Sequence, residues 1–192
     1  MKSLYLVLPV IIGFVSCSEN GADKTQPASE RHSKLNAFLE KIPSITLPIE
    51  IRGCSINTQS LTRVDNNKFI SANVNYGYGK LEPNSKFTAV VFLASADCEI
   101  PVLATYDKSG NKIDEKEINI GYCGSDCGYT CNEIMSIDNN KNIFTADTIS
   151  SYDCDSLGNA IPGTEQHYVI YKQGRILETG KIELSKEIKK QL

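Results

Sequence analysis

The chain has 192 residues, with 20 Lys and Arg against 23 Asp and Glu, and a formal charge of −3 at neutral pH. It contains no long basic run and no basic amphipathic helix, so neither nucleic acid nor an anionic lipid surface is expected as a partner. There is no tryptophan, and burial must depend on Ile, Val, Leu and nine Tyr. The length suits one domain with its own core.

The first 17 residues have the composition of an export signal. Met1 and Lys2 supply a positive charge, the following run is almost wholly apolar, and the small residue Ser16 stands directly before Cys17. The apolar run is shorter than the roughly 20 residues that a transmembrane helix needs. We therefore expect the segment to be removed after export.

This segment resembles the signal of bacterial lipoproteins, although Phe14 stands where leucine is usual. The resemblance covers residues 1–17 alone. It implies that Cys17 receives a diacylglycerol, that residues 1–16 are cleaved, and that the freed amine is acylated. Two or more acyl chains attach a protein stably to a membrane, because each buried methylene contributes about 0.8 kcal/mol. Ser18, in place of an acidic residue, implies the outer membrane over the inner one.

Residues 17–32 are predicted to be the lipidated cysteine and a flexible tether, because they are polar and small. A single β-rich domain is expected over 33–192. Ser33 can cap a short helix that Pro43 stops, and its apolar residues recur at helical spacing: Leu35, Phe38, Leu39 and Ile42.

From about residue 72 the pattern changes to β-branched and aromatic runs separated by turn residues, which is typical of hairpins. Residues 45–52 form an earlier extended segment, with Pro48 at an edge. A weak repeat predicts turns after Asp107 and Asp138, and a third turn at Gln173-Gly174. The predicted strands are 73–81, 86–94, 99–107, 111–120, 131–138, 142–152, 166–172 and 175–184.

The predicted fold class is mainly β. We expect an antiparallel meander of seven to eight strands that curls into a sandwich or a partly closed barrel, with the short N-terminal helix as cover.

Six cysteines remain beside Cys17, and an even number in an exported protein predicts disulfides. If the hairpin of residues 139–142 turns near its middle, Cys127 faces Cys154, and a bulge could substitute Cys131. A second bridge is expected between Cys54 and Cys98, because both lie outside the cluster at 123–131. The disulfide candidates are Cys54, Cys98, Cys123, Cys127, Cys131 and Cys154.

The loop from Cys123 to Cys131 also allows a metal site, with Cys154 or His167 as the fourth ligand. We predict none, because exported proteins rarely keep free thiolates. Residues 153–159 begin like a calcium loop, but Leu157 occupies a position that needs an oxygen ligand, so a solvated turn is expected.

No motif of a catalytic triad, zinc protease or phosphate-binding loop is present, and no catalytic residue or cofactor is predicted. The sequence favours a membrane-anchored envelope lipoprotein that acts as a non-enzymatic binding module for an unknown macromolecular partner. Two alternatives stay open. One is an envelope metal-binding protein or enzyme centred on the Cys123–Cys131 loop. The other is a lipocalin-like carrier of a small apolar ligand, if the sheet encloses a cavity.

Overall fold

The structure is a computed structural model that describes residues 27–65, 67–71, 73–82, 86–124 and 126–192. The predicted signal peptide, the lipidation residue Cys17 and most of the predicted tether lie outside the described residues. The described chain is mainly β, with one α-helix at its start.

Helix α1 (Ala28–Leu39) precedes twelve strands. These are β1 (Ser44–Ile45), β2 (Ile49–Ile51), β3 (Thr62–Arg63), β4 (Val74–Leu81), β5 (Phe87–Ala94), β6 (Ile100–Asp107), β7 (Lys112–Glu117), β8 (Tyr129–Ile137), β9 (Asn142–Ser151), β10 (Gln166–Ile176), β11 (Ile182–Leu184) and β12 (Ile188–Gln191).

The strands form two sheets, and each is built around a meander of neighbouring hairpins. The first sheet has the order β1-β4-β5-β6-β7, with β3 also paired to β4. The second has the order β11-β10-β9-β8-β2, with β12 also paired to β10. The pairings are antiparallel except for that of β1 with β4, which is parallel. The described strands do not close into a barrel. Of the two shapes predicted, the sandwich is therefore confirmed.

The main core lies between the sheets because one face of each meander is apolar. The sheets meet through side chains that are at most a few per cent exposed: Leu81, Phe87, Val91, Leu103, Met135, Ile137, Ile143 and Ile176. A second core lies on the outer face of the first sheet, where α1 covers it with Leu35 and Leu39. The fold therefore has three layers, a helix and two sheets.

Helix α1 begins at Ala28 and not at Ser33, so the predicted tether overlaps its first turns. Glu30 lies in the first turn, where the helix dipole favours an acid, and pairs with Lys34 at 2.8 Å. The backbone of Arg31 also lies against the turn that holds Gly110. The helix is thus extended toward its N-terminus by a local ion pair and by a tertiary contact.

The predicted turn at Gln173-Gly174 is wrong, because β10 continues through both residues. A Cβ on Gly174 would overlap the backbone of Glu183, so this glycine permits the close approach of β11. The chain turns instead at 177–181, where Gly180 has φ of +85°.

The true internal repeat is a five-residue turn with Asp at its first position and Asn at its fifth. In the copy at 138–142, Asp138 Oδ1 accepts the backbone N–H groups of Asn140 and Asn142, each at 2.8 Å, and the amide of Asn142 donates to Oδ2. The other copies begin at Asp107 and Asp155 and make the equivalent bonds.

The fourth residue of each turn is left-handed, with φ of +81° at Gly110, +64° at Lys141 and +84° at Gly158. Hydrogen bonds from Asn142 and Asn159 hold the pKa values of Asp138 and Asp155 below the ordinary range.

Candidate functional site

All six cysteines of the described chain form disulfides. Cys54 pairs with Cys98 and Cys127 pairs with Cys154, as the sequence predicted, and Cys123 pairs with Cys131. The three bridges join residues 44, 27 and 8 positions apart. None of these sulfurs is a thiolate while the bridges stay oxidised, which removes the ligands and the nucleophile that a metal centre or a cysteine enzyme would need.

The disulfides lie at one end of the sandwich, and α1 begins at the other. Cys98 lies in the connection after Ala94, where β5 leaves the sheet. The opposite end of the same hairpin carries Gly110, against which Arg31 packs. We call the loops 121–131 and 152–165 the stapled end. The turns 107–111 and 138–142, with the start of α1, form the tether end.

Two bridges hold the loops of the stapled end together. The bridge from Cys127 to Cys154 joins the two loops, with its Cα atoms 6.3 Å apart. The bridge from Cys123 to Cys131 closes the first loop on itself, with a Cα separation of 5.2 Å. The backbone N–H of Tyr152 donates to the carbonyl of Gly128 at 2.9 Å. The loops are therefore fastened by covalent bonds and by backbone pairing.

Gly128 of the first loop lies tightly against Tyr152 of the second. Its φ is +69°, and a Cβ there would lie 2.6 Å from the ring of Tyr152 and would overlap the backbone carbonyl of that residue. Only glycine fits this position without moving its neighbour. The ring of Tyr152 therefore packs against Gly128 of the first loop and is held in place at the surface.

The stapled end exposes large apolar side chains. Tyr122 is 52% exposed, Tyr152 40%, Leu157 85% and Ile161 40%. These are four of the six exposed large hydrophobic residues in the described chain. Single exposed apolar residues are ordinary, but a group on two joined loops is typical of an interaction surface.

The same loops are acidic. They contain Asp126, Asp153, Asp155 and Glu165, and their sequence has no Lys or Arg. The exposed apolar side chains thus lie on the same two loops as these acids, and the negative charge of the loops favours cationic partners.

The turn at Asp155 is closed by the carboxylate of that residue. Asp155 Oδ1 accepts the N–H groups of Leu157 and Asn159 at 2.8 and 2.9 Å, and Oδ2 accepts the Asn159 amide at 3.0 Å. Both oxygens are thus used to hold the turn, and Leu157 points into solvent. The structure agrees with the solvated turn expected from the sequence.

Two acids point inward from the second sheet and hold the disulfide loops from beneath. Asp147 is fully buried, and its Oδ2 accepts the N–H of Tyr122 at 2.8 Å. Glu133, its cross-strand neighbour, accepts the backbone N–H of Gly53, beside the bridge of Cys54. Each inward carboxylate therefore fixes the backbone next to a bridge.

These two acids are not ionised as easily as exposed carboxyls. Burial raises the pKa of Asp147, and the N–H bonds from the first loop only partly offset it. Burial and the nearby charge of Asp147 raise the pKa of Glu133. Asp147 Oδ1 and Glu133 Oε2 are buried and lack a hydrogen-bond partner.

The inward acids lie near the sulfurs. Atoms of Cys123, Cys131 and Asp147 are all within 4.8 Å of one another, as are those of Cys54, Cys98 and Glu133. Disulfide sulfurs carry no charge and are poor ligands, so these groups serve the loops and do not make a metal centre. His167, the other proposed ligand, bonds Ser150 Oγ at 2.9 Å through Nδ1.

The cysteine pairs were predicted from the sequence, but the exposed apolar side chains and the two buried acids around them were not. Alternation along β9 could have placed Asp147 on the inner face, because Ile143 and Ile149 share its parity. No signal in the sequence separated the exposed tyrosines from those that pack in strands, such as Tyr106, which is fully buried.

Protein-family models, curated proteins and solved structures give no match to this chain. Within the described ranges, no helix is both long and apolar enough to span a bilayer.

Proposed function

We propose that this chain is a lipid-anchored binding protein of the bacterial envelope, attached through Cys17, which presents its stapled end to a protein partner. The observation that carries the proposal is the group of exposed apolar side chains, led by Leu157 at 85% exposure, on two loops that one disulfide joins and a second braces. A rigid surface loses little conformational entropy when it binds, so exposed side chains held in this way favour recognition.

The position of α1 supports the same proposal. A chain anchored at Cys17 would enter the domain at Pro27, beside the tether end. The stapled end lies at the far end of the sandwich, so it would point away from the membrane. This orientation would leave the stapled end accessible to a macromolecule in the envelope or outside the cell.

The acidic residues of the two loops indicate the chemistry of the partner. We expect a protein surface with an apolar side chain at its centre and Lys or Arg around it, because this complements the tyrosines and carboxylates of the stapled end. Rim charges act mainly on the association rate, and salt screens them, so binding should weaken as ionic strength rises.

The anchor is tested by mass spectrometry of the mature protein and by Cys17→Ser. The expected mature N-terminus is an acylated Cys17, and the variant should leave the membrane fraction. An unmodified start, or a variant that stays with the membrane, would overturn the lipid anchor without touching the proposed binding surface.

The binding surface is tested by quantitative affinity capture from envelope extract with full-length protein. Leu157→Asp should reduce the amount of the specific partner at least tenfold, which corresponds to the loss of a central apolar contact. Thr179→Asp is the matched control, because it adds the same charge at an exposed position of the turn 177–181, which lies against Phe87 at the same end of the sandwich as the tether-end turns. Equal capture by both variants would rule out the stapled end as the binding surface.

A further inference from the structure

A cavity of about 430 Å³ opens between the two sheets at the tether end. Leu81, Phe87 and Ala89 of the first sheet form one wall, and Ile176 of the second sheet forms the other. This volume is within the range of small-molecule sites, which are mostly apolar with a few polar groups. The cavity is far from the stapled end and takes no part in the proposed protein binding.

A small core residue, Ala89, lines the cavity. Ala89 lies on the inner face of β5, in line with Phe87 and Val91, and all three belong to the core between the sheets. Its methyl group fills much less space than the side chains on either side. The gap opens at the end of the sheet, where the hairpin of β8 and β9 begins to turn.

The mouth carries one cation and one anion. Lys141 and Asn139 line it from the second sheet, and Glu82 lines it from the end of β4. Lys141 has a left-handed backbone, and its Nζ lies 5.5 Å from the centre of the Phe87 ring. Its ion pair with Glu178 is 3.7 Å long, and the Glu178 side chain is 76% exposed, so this pair is weak and water competes for it.

We propose that this cavity binds a single-chain zwitterionic amphiphile of the monoacyl phospholipid class. The acyl chain lies between the sheets against Phe87 and Ile176. The phosphate of the head accepts from Lys141 and the ammonium group donates to Glu82. A head with one charge of each sign matches the mouth better than a fatty acid, whose carboxylate would meet the repulsion of Glu82.

The test is calorimetric titration of the full-length protein with lysophosphatidylethanolamine of 12, 14 and 16 carbons, below the concentrations at which it forms micelles. We expect one site, and an affinity that rises by about fourfold for each added methylene until the cavity is full. Palmitate and hexadecanol are the comparison ligands, and both should bind more weakly than the 16-carbon zwitterion.

Two variants locate the site. Lys141→Asn keeps a residue that tolerates the left-handed turn and should weaken binding about tenfold, the loss of one charge-assisted hydrogen bond. Lys108→Asn makes the same charge change in the turn at 107–111 and should leave binding unchanged. Ala89→Leu fills the floor of the cavity and should abolish binding of every chain length.

The proposal is overturned by the absence of binding, by equal affinity for all three head groups, or by equal effects of Lys141→Asn and Lys108→Asn. If Ala89→Leu does not fold, the paired lysine variants still decide the result, because both changes lie on the surface.

Discussion

The two ends of this sandwich hold their connections in place by different means. At the tether end, five-residue turns are closed by Asp–Asn hydrogen bonds alone, as at Asp138 and Asn142. At the stapled end, the loops are longer than ten residues, and disulfides fasten them even though the second loop also contains an Asp–Asn turn at 155–159. Short loops cost little closure entropy, whereas long loops without a core of their own need covalent bonds to stay ordered.

The difference also concerns what the loops expose. The tether-end turns are polar, and the one at Gly110 packs against the start of α1, while the stapled loops keep tyrosine and leucine in solvent. Bridges allow a surface to display apolar groups without collapse onto the core. We expect perturbations of the stapled end to have larger effects than matched changes at the tether end.

The largest effect is expected from removal of the bridges. On the chain-entropy model, loss of the bridges that close 44, 27 and 8 residues should lower the free energy of unfolding by about 4, 3.5 and 2.5 kcal/mol. Urea unfolding of the three double Cys→Ser variants measures the order. If removal of Cys123 and Cys131 costs the most, loop entropy is not what these bridges control.

A second prediction compares two left-handed glycines of the stapled end. Gly128→Ala combines the strain of φ +69° with an overlap against Tyr152, and we expect a loss of about 2 to 3 kcal/mol. Gly158→Ala has φ of +84° but meets nothing within 4 Å, so about 1 kcal/mol is expected. Thermal or urea unfolding measures both, and equal losses would show that Gly128 is not a packing point.

The smallest expected effect is on the pH dependence of the free energy of unfolding. Its sign differs between the buried acid Asp147 and the turn acid Asp138. The pKa of buried Asp147 is raised, so the folded protein gains stability as pH falls through that raised value toward about 3.9, the ordinary one. Asp147→Asn should remove this gain. The pKa of Asp138 is lowered, so its contribution is present above about 3.9 and is lost below it.

Urea midpoints measured between pH 2 and 7 separate these two effects. Relative to wild type, Asp138→Asn should lower the midpoint above about pH 3.9 and leave it unchanged at the acidic end. Asp147→Asn should remove the rise in midpoint that occurs as pH falls from the raised pKa of Asp147 to about 3.9. A wild-type profile with no gain on mild acidification, or an unchanged profile in Asp147→Asn, would show that the inward acid is ionised as readily as an exposed one.

The sequence predicted the features that depend on local pattern. Alternation and turn residues located β4 to β9 within a few residues, and hairpin symmetry placed Cys127 opposite Cys154. It failed where tertiary contact decides. Glycine is typical of turns, but Gly174 lies within β10, where the missing side chain allows β11 to approach closely. Helix α1 begins earlier than the sequence predicts because its first turns contact Gly110.

The candidate site was predicted only in part, for the same reason. Cysteine count and spacing indicate bridges, but tyrosine has the same pattern whether it packs in a sheet or projects from a loop. Tyr106 donates to the carbonyl of Phe69 at 2.6 Å in the core, while Tyr152 stands at the surface on Gly128. That distinction depends on which loops the bridges bring together.

Photo-crosslinking in living cells, with a benzophenone side chain at Leu157 or at Thr179, tests most directly whether the stapled end is the binding surface. We predict a discrete protein adduct from position 157, which is lost when Ile161 is changed to Asp, and no such adduct from position 179. The same adduct from both positions, or one from position 179 alone, would contradict this prediction.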